Sequence, residues 1–288
     1  MTALNDVLRK MEALPTLPTA VAKLAAVLND DRVGAAQFEK IVRPDPALTM
    51  NLLKLANSAY FGARREIGSV RQSIAFLGIK RVFELAASAW FSQSLPEKIP
   101  GYEITAKSFF LHCLSVGALA EQLAVEAAMK PPEMVFTAGL LHDVGKLAVG
   151  ALMLERSEEI LSEMGSGDLS FYAAEAKVLR TDHTEIGEAL VREWSLPEEI
   201  AWAARWHHEP SKAPAHVDRD LIDLVHLADG MAHSLGFGAD IGELSRVIDN
   251  QSMERLILGA EEMEHAAGES VICQIWEMSD VLPGGLSC

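Results

Sequence analysis

The sequence predicts an all-α protein. Three observations carry this expectation. Apolar residues recur at helical spacing, start and stop residues bracket those stretches, and period-two alternation of Val, Ile and aromatic residues is nearly absent.

Asp45-Pro46 opens the first clear helix, with Asp as N-cap and Pro in the first turn. Leu48, Leu52, Leu55 and Ala59 follow on one face, and Gly62 lies just past the expected end. Ser69 caps a short helix carrying Val70, Ile74 and Leu77, which Gly78 stops. Another helix runs from about Lys80 to Ser92. The segment SLPEKIPGYE, with Pro96, Pro100 and Gly101, reads as a boundary. Beyond it, Ser108 to Ala128 forms one long apolar-faced helix, and Pro131-Pro132 opens the next toward Leu141. Thr184 to Trp194 and Pro197 to Trp206 form two more, separated by a Leu-Pro break. Asp220 to Leu235 forms another, and one or two helices fill the acidic tail from Met253 to Met278. There is no internal repeat and no low-complexity tract. The expected organisation is an N-terminal helical lobe (1–100), a helical core (101–240) and an acidic C-terminal helical extension (241–288).

Composition narrows the function classes. The chain of 288 residues is 49% hydrophobic and 23% charged, enough apolar material for a sizeable core. No apolar stretch of 18 or more residues is free of charge, and the N-terminus does not read as a signal peptide. Cys113, Cys273 and Cys288 fit neither a disulfide framework nor a CxxC metal knuckle, so a reducing cytoplasm is expected. Residues 1–100 carry 13 Lys/Arg against 9 Asp/Glu, a net of +4, and residues 101–288 carry 12 against 32, a net of −20. An acidic protein of this kind repels nucleic acid and anionic membrane, and neither is expected as a partner.

The chemistry concentrates in His142-Asp143, within GLLHDVGK, and in its company: His112 upstream, then His183, His207-His208 and Asp229 downstream. These residues come from successive helices, as a metal site in a bundle core requires. The donors are imidazoles and carboxylates without thiolate, which suits Fe or Mn and also accepts Zn, Ni or Co. Five His and two Asp exceed the needs of one tetrahedral ion. Asp143 can bridge two ions, and two ions can activate water and neutralise a phosphoryl group. Lys146, one turn past the pair, can offer positive charge to a phosphate, which makes Asp143 and Lys146 the candidate catalytic residues.

The order His112, His142-Asp143, Lys146, His183, His207-His208, Asp229 resembles the HD metal-dependent phosphohydrolase superfamily, and most closely its HD-GYP and HDOD branches. The segments LPTLPTAVAKL, IVRPDPALTMNLLKLANSAYFG, SVRQSIAFLGIKRVFELA and DHTEIGEALVREWSLPEEI resemble HDOD proteins, from about Leu14 to about Ser234. That resemblance implies a bacterial signalling output module with an HD-type helical core, answering to a signalling protein partner or a small phosphate-containing ligand. Many relatives have lost parts of the site, whereas this chain keeps nearly every ligand position. It lacks a GYP motif after His208 and has Ser108 where trinuclear members have Glu, which argues against a third metal and against cyclic di-GMP hydrolysis. Three readings stay open: an output module that binds two divalent first-row metal ions with little turnover, an active phosphohydrolase on a nucleotide or other phosphate ester, and a scaffold with an empty site.

His226 and His233 flank Asp229 on its helix face, either orienting a ligand or, more simply, forming a half-buried polar stripe. His216 and His265 read as surface residues, Cys113 as core, and Trp90, Trp194, Trp202 and Trp206 as core, with Trp206 beside His207 able to wall the pocket. Arg64, Arg65, Arg71, Lys80 and Arg81 form a basic cluster, read as a solvated face or a docking surface.

Overall fold

A computed structural model describes residues 17–28, 34–57, 61–130, 132, 134–165, 169–238 and 248–281. Leu14, Ala59, Pro131 and Cys288 of the sequence reading lie outside these residues.

The chain is all-α. In order, the helices are α1 (Thr19–Leu28), α2 (Ala35–Val42), α3 (Pro46–Ala56), α4 (Val70–Ser94), α5 (Ala106–Glu126), α6 (Val135–Leu141), α7 (Lys146–Gly165), α8 (Phe171–Leu179), α9 (His183–Glu193), α10 (Glu198–Trp206), α11 (Arg219–Ser234), α12 (Asn250–Leu256), α13 (Ala260–Ala266) and α14 (Glu269–Val281). Between α4 and α5 sits a two-stranded antiparallel hairpin, Lys98–Ile99 paired with Ile104–Thr105. It occupies the segment read as a boundary, and it is the only strand pairing among the described residues.

Local chemistry fixes the starts of these helices. Asp45 accepts from Leu48 N–H at 2.9 Å, and Ser69 accepts from Gln72 N–H at 3.2 Å. Asp182 accepts from Thr184 and Glu185 N–H at 2.8 and 2.9 Å, which makes His183 the first residue of α9 rather than its predecessor. As expected, Gly78 ends one helical stretch before the next begins: its φ of 83° and ψ of 161° break α4 sharply at that residue. Helices α1, α2, α7 and α8 are additions to the sequence reading, and the tail holds three helices where one or two were expected.

Helix α5 is the axis of the fold. It packs against α4, α6, α11, α13 and α14, and most of its residues are buried. By length and apolarity it could cross a membrane, but 72% of its most apolar window lies buried inside the protein, as for a core helix. One apolar core runs from Val21 on α1 to Met278 on α14. Phe109, Leu114, Leu119 and Leu123 anchor it on α5, each contributing about 1.5–3 kcal/mol through burial. The hairpin positions Tyr102, fully buried, against the far end of this core.

Candidate metal centre

The HD pair lies in the turn between α6 and α7. Gly145 makes that turn possible. A Cβ there would meet His183 O at 1.9 Å and Gly187 N at 2.7 Å, so only glycine lets the turn press on the start of α9. His112 projects from the middle of α5, Asp229 from α11, and His207-His208 follow the end of α10.

The structure brings all seven sequence-predicted ligand candidates together. His112, His142, Asp143, His183, His207 and Asp229 are at most 3% exposed, and His208 is half-buried at the edge. Their ligand atoms form overlapping groups in which all atoms lie within 4.8 Å: Asp143 with His183, His207 and His208; His112 with His142 and Asp143; His142 with His207 and Asp229; His112 with Asp229 and His233. The two oxygens of Asp143 face different ways. Oδ1 lies 3.5 Å from His183 Nε2 and 3.6 Å from His207 Nε2. Oδ2 lies 3.4 Å from His142 Nε2 and 3.9 Å from His112 Nε2. Asp229 Oδ1 lies 3.2 Å from His112 Nε2 and 3.7 Å from His142 Nε2.

Hydrogen bonds at the far side of each ring fix which nitrogen faces inward. Nδ1 of His112 donates to Phe237 O at 2.9 Å, Nδ1 of His142 to Gly139 O at 2.7 Å, and Nδ1 of His207 to Ala204 O at 3.0 Å. A carbonyl only accepts, so each Nδ1 carries a proton. Burial lowers the His207 pKa to about 3, against the opposing pull of Asp143, so that ring is neutral. The Nε2 lone pair of the neutral His207 ring therefore points at Asp143 Oδ1, acceptor against acceptor. Nε2 of His142 and of His207 is buried with no hydrogen-bond partner among the described residues. A cation between such groups removes the repulsion and satisfies the lone pairs, so the donor set fits divalent metal.

Asp143 stays ionised. Burial pushes its carboxyl up, but the Lys146 ammonium and His142 outweigh that and hold it well below the usual carboxylate range. Lys146 is itself buried, with Nζ 2.6 Å from Asp143 Oδ2 and 5.3 Å from the centre of the Tyr102 ring. Its charge is thus directed at Asp143. A cavity of about 10 Å³ beside His112, Lys146 and His233 has room for about one water.

Three contributors escape the sequence reading of the ligands. Glu175 on α8, fully buried, binds His183 Nδ1 at 2.6 Å through Oε2 and accepts from the Tyr102 hydroxyl through Oε1. Such a carboxylate orients a ligand imidazole and raises its basicity. His233 approaches Asp229 Oδ1 at 3.4 Å and stacks on His112 with ring centroids 4.4 Å apart, so it belongs to the centre rather than to a polar stripe. His226 is buried and hydrogen-bonded to the backbone of His207 at 2.6 Å. The i−3 and i+4 spacing around Asp229 is the signal that marks both histidines, while Glu175 carries only a lone acid on an apolar helix face. His216 and His265 are exposed and Cys113 is buried, as expected. Lys80 and Arg81 pair with Glu84 and Glu121, Arg71 pairs with Glu39, and Arg64 and Arg65 are exposed.

Among known proteins, the HDOD domain family matches residues 14–210. The fold resembles an HDOD domain protein of unknown function from Geobacter sulfurreducens, 25% identical, with a TM-score of 0.75 over 97% of this chain and 96% of that one. It also resembles a candidate phosphohydrolase from Shewanella amazonensis SB2B, 23% identical, with a TM-score of 0.72 over 96% of this chain and 98% of that one. A candidate signal transduction protein from Marinobacter aquaeolei VT8 is 20% identical, with a TM-score of 0.70 over 94% of this chain and 61% of that one. These last two likenesses concern the fold alone. An uncharacterized protein of Treponema pallidum (strain Nichols) is 22% identical over 223 residues, 76% of this chain, and the chain spans 42% of that relative's length.

Proposed function

The chain belongs to the HDOD domain family, and on that premise we propose that it is a signalling output module whose His/Asp centre holds two divalent first-row metal ions, Fe or Mn by preference. One position would be formed by His112, His142, Asp143 Oδ2 and Asp229. The other would be formed by Asp143 Oδ1, His183, His207 and His208. Asp143 would bridge them. The observation that carries this reading is the convergence of buried imidazole Nε2 atoms on the two divergent oxygens of one carboxylate, those of His142 and His207 lacking a hydrogen-bond partner among the described residues. When bound, the ions supply Lewis acidity and an acidified water.

The chain's own residues favour binding over turnover. The centre is buried, and Lys146 is held by Asp143 instead of standing ready for a phosphate. The ligand shell spans α5, α6, α9, α10 and α11, so metal occupancy fixes the relative placement of these helices. A signalling protein partner, or a small phosphate-containing ligand, would read that placement. The alternative is a phosphohydrolase acting on a nucleotide or similar ester, which the bridging geometry also suits.

Metal content by mass spectrometry on protein purified without a His tag tests the reading, alongside phosphatase assays. The expected result is about two equivalents of metal with negligible turnover. Turnover that vanishes in Asp143→Ala would establish the phosphohydrolase instead. A well-folded protein that stays metal-free after anaerobic reconstitution would leave a scaffold.

A further inference from the structure

The family match ends at residue 210, yet the centre depends on the chain beyond that residue. Asp229 and His233 lie on α11, and the chain beyond α11 turns back over the site at two points. At the first, Phe237 O receives the His112 Nδ1 proton at 2.9 Å, and the Phe237 ring packs on Trp276 of α14 with centroids 5.9 Å apart. Gly238 lies so close that a Cβ would come within 3.0 Å of His112 Nδ1. At the second, His226 spans two backbones. Its Nδ1 donates to His207 O at 2.6 Å, and its Nε2 accepts from Asp249 N–H at 2.8 Å. A carbonyl on one side and an amide N–H on the other demand a neutral ring in a single tautomer.

Asp249 is the N-cap of α12, where its side chain accepts from Gln251 N–H at 2.9 Å. The rest of α12 is docked by buried charge. Arg255 grips Asp223 of α11 with two bonds of 2.6 Å, and Ser252 Oγ donates to the same carboxylate at 2.6 Å. Asp223 is fully buried, so undocking α12 would strand its charge. The Asp249 amide is therefore presented to His226 only while α12 is seated.

We propose that His226 is a positioning residue that couples the seating of α12 to the ion position formed by Asp143, His183, His207 and His208. The His207 carbonyl it holds belongs to the turn bearing both His207 and His208. The other position takes its ligands from α5, the HD turn and α11, and its two rings are oriented by Phe237 O and Gly139 O instead. Any event that lifts α12 withdraws the Asp249 amide, frees the His226 ring and loosens one ion while the other stays. The extension thereby becomes an input to the centre. This inference rests on the metal reading above.

Titration of the metal-free full-length chain with Co²⁺, followed by its visible absorption and by bound metal per chain, tests it. In His226→Ala the first equivalent binds as in the unaltered protein, and the second binds roughly 10–100-fold more weakly. A pair of variants at residue 249 isolates the backbone link. The φ of −73° there is one proline adopts, so Asp249→Pro replaces the N–H with a ring carbon that displaces His226, whereas Asp249→Ala keeps the N–H. Asp249→Pro reproduces the loss of the second equivalent and Asp249→Ala does not, and this pair carries the test if His226→Ala fails to fold. Two equivalents bound normally by the folded variants, or equal weakening of both, overturns the coupling. Absence of Co²⁺ binding in the unaltered protein overturns the metal reading itself, and the coupling with it.

Discussion

Helix α5 carries two buried polar clusters, and they are completed in opposite ways. Around Glu121 the charges close on themselves. Lys80 Nζ lies 2.7 Å from Glu121 and 3.6 Å from Glu84, and Arg81 Nη1 lies 3.0 Å from Glu121 and 2.7 Å from Glu84. Lys80 and Arg81 each reach both acids, and burial leaves Glu84 protonated up to about pH 8. Around His112 the carboxylates of Asp143 and Asp229 lie against the Lys146 ammonium and the Nε2 atoms of His112, His142, His183 and His207. Burial and charge are common to both clusters, so neither marks the functional one. The convergence of imidazole and carboxylate ligand atoms within 4.8 Å of one another sets the second apart.

The comparison can be broken most forcefully at Asp143. Asp143→Asn removes the anionic bridge, and metal content measured by mass spectrometry should fall from about two equivalents to near zero. A milder loss is expected from Glu175→Gln, which weakens the carboxylate's hold on His183. The ion on that side should bind roughly 10–100-fold more weakly in a metal titration, with the other retained.

The self-contained cluster should respond to pH instead of metal. Burial, opposed by Arg81, raises the Glu84 pKa from 4.5 to about 8. Between those two values the folded chain keeps a proton that the unfolded chain has released, so this group's contribution to stability falls as pH rises from about 4.5 to about 8. Glu84→Gln should flatten that slope, raise stability at pH 8 by about 1–3 kcal/mol and leave metal content unchanged. Denaturant midpoints at pH 5 and pH 8 check this. Smallest of all, Arg64→Glu with Arg65→Glu should shift stability by less than about 0.5 kcal/mol and leave metal content unchanged, as thermal melting and mass spectrometry would show.

The ligand candidates were legible because each sits where sequence spacing and helix ends coincide. The HD pair follows an apolar helix, and His207-His208 close another. Asp45 and Ser69 were legible as caps for the same local reason. The stretch 146–180 was not legible as helix. Leu154 and Leu161 of α7 are 58% and 48% exposed, so apolar residues stand on the wrong face and blur its pattern. With α8 unmarked, Glu175 had no element to place it near His183. The role of His226 was further out of reach. Its partners, His207 O and Asp249 N–H, lie 19 and 23 residues away on opposite sides in sequence, and only the fold back of α12 joins them.

The tight seat of Gly145 sets the scale of the centre. Where the HD turn meets the start of α9, backbone touches backbone, with no side chain between that could change rotamer and give way. The span from Asp143 to His183 is therefore a fixed gauge. In the proposed centre, an ion of a different radius would be accommodated at the half-buried His208, at the margin of the core, rather than by widening this edge. Discrimination among first-row ions by size would then be written in a glycine that touches none of them.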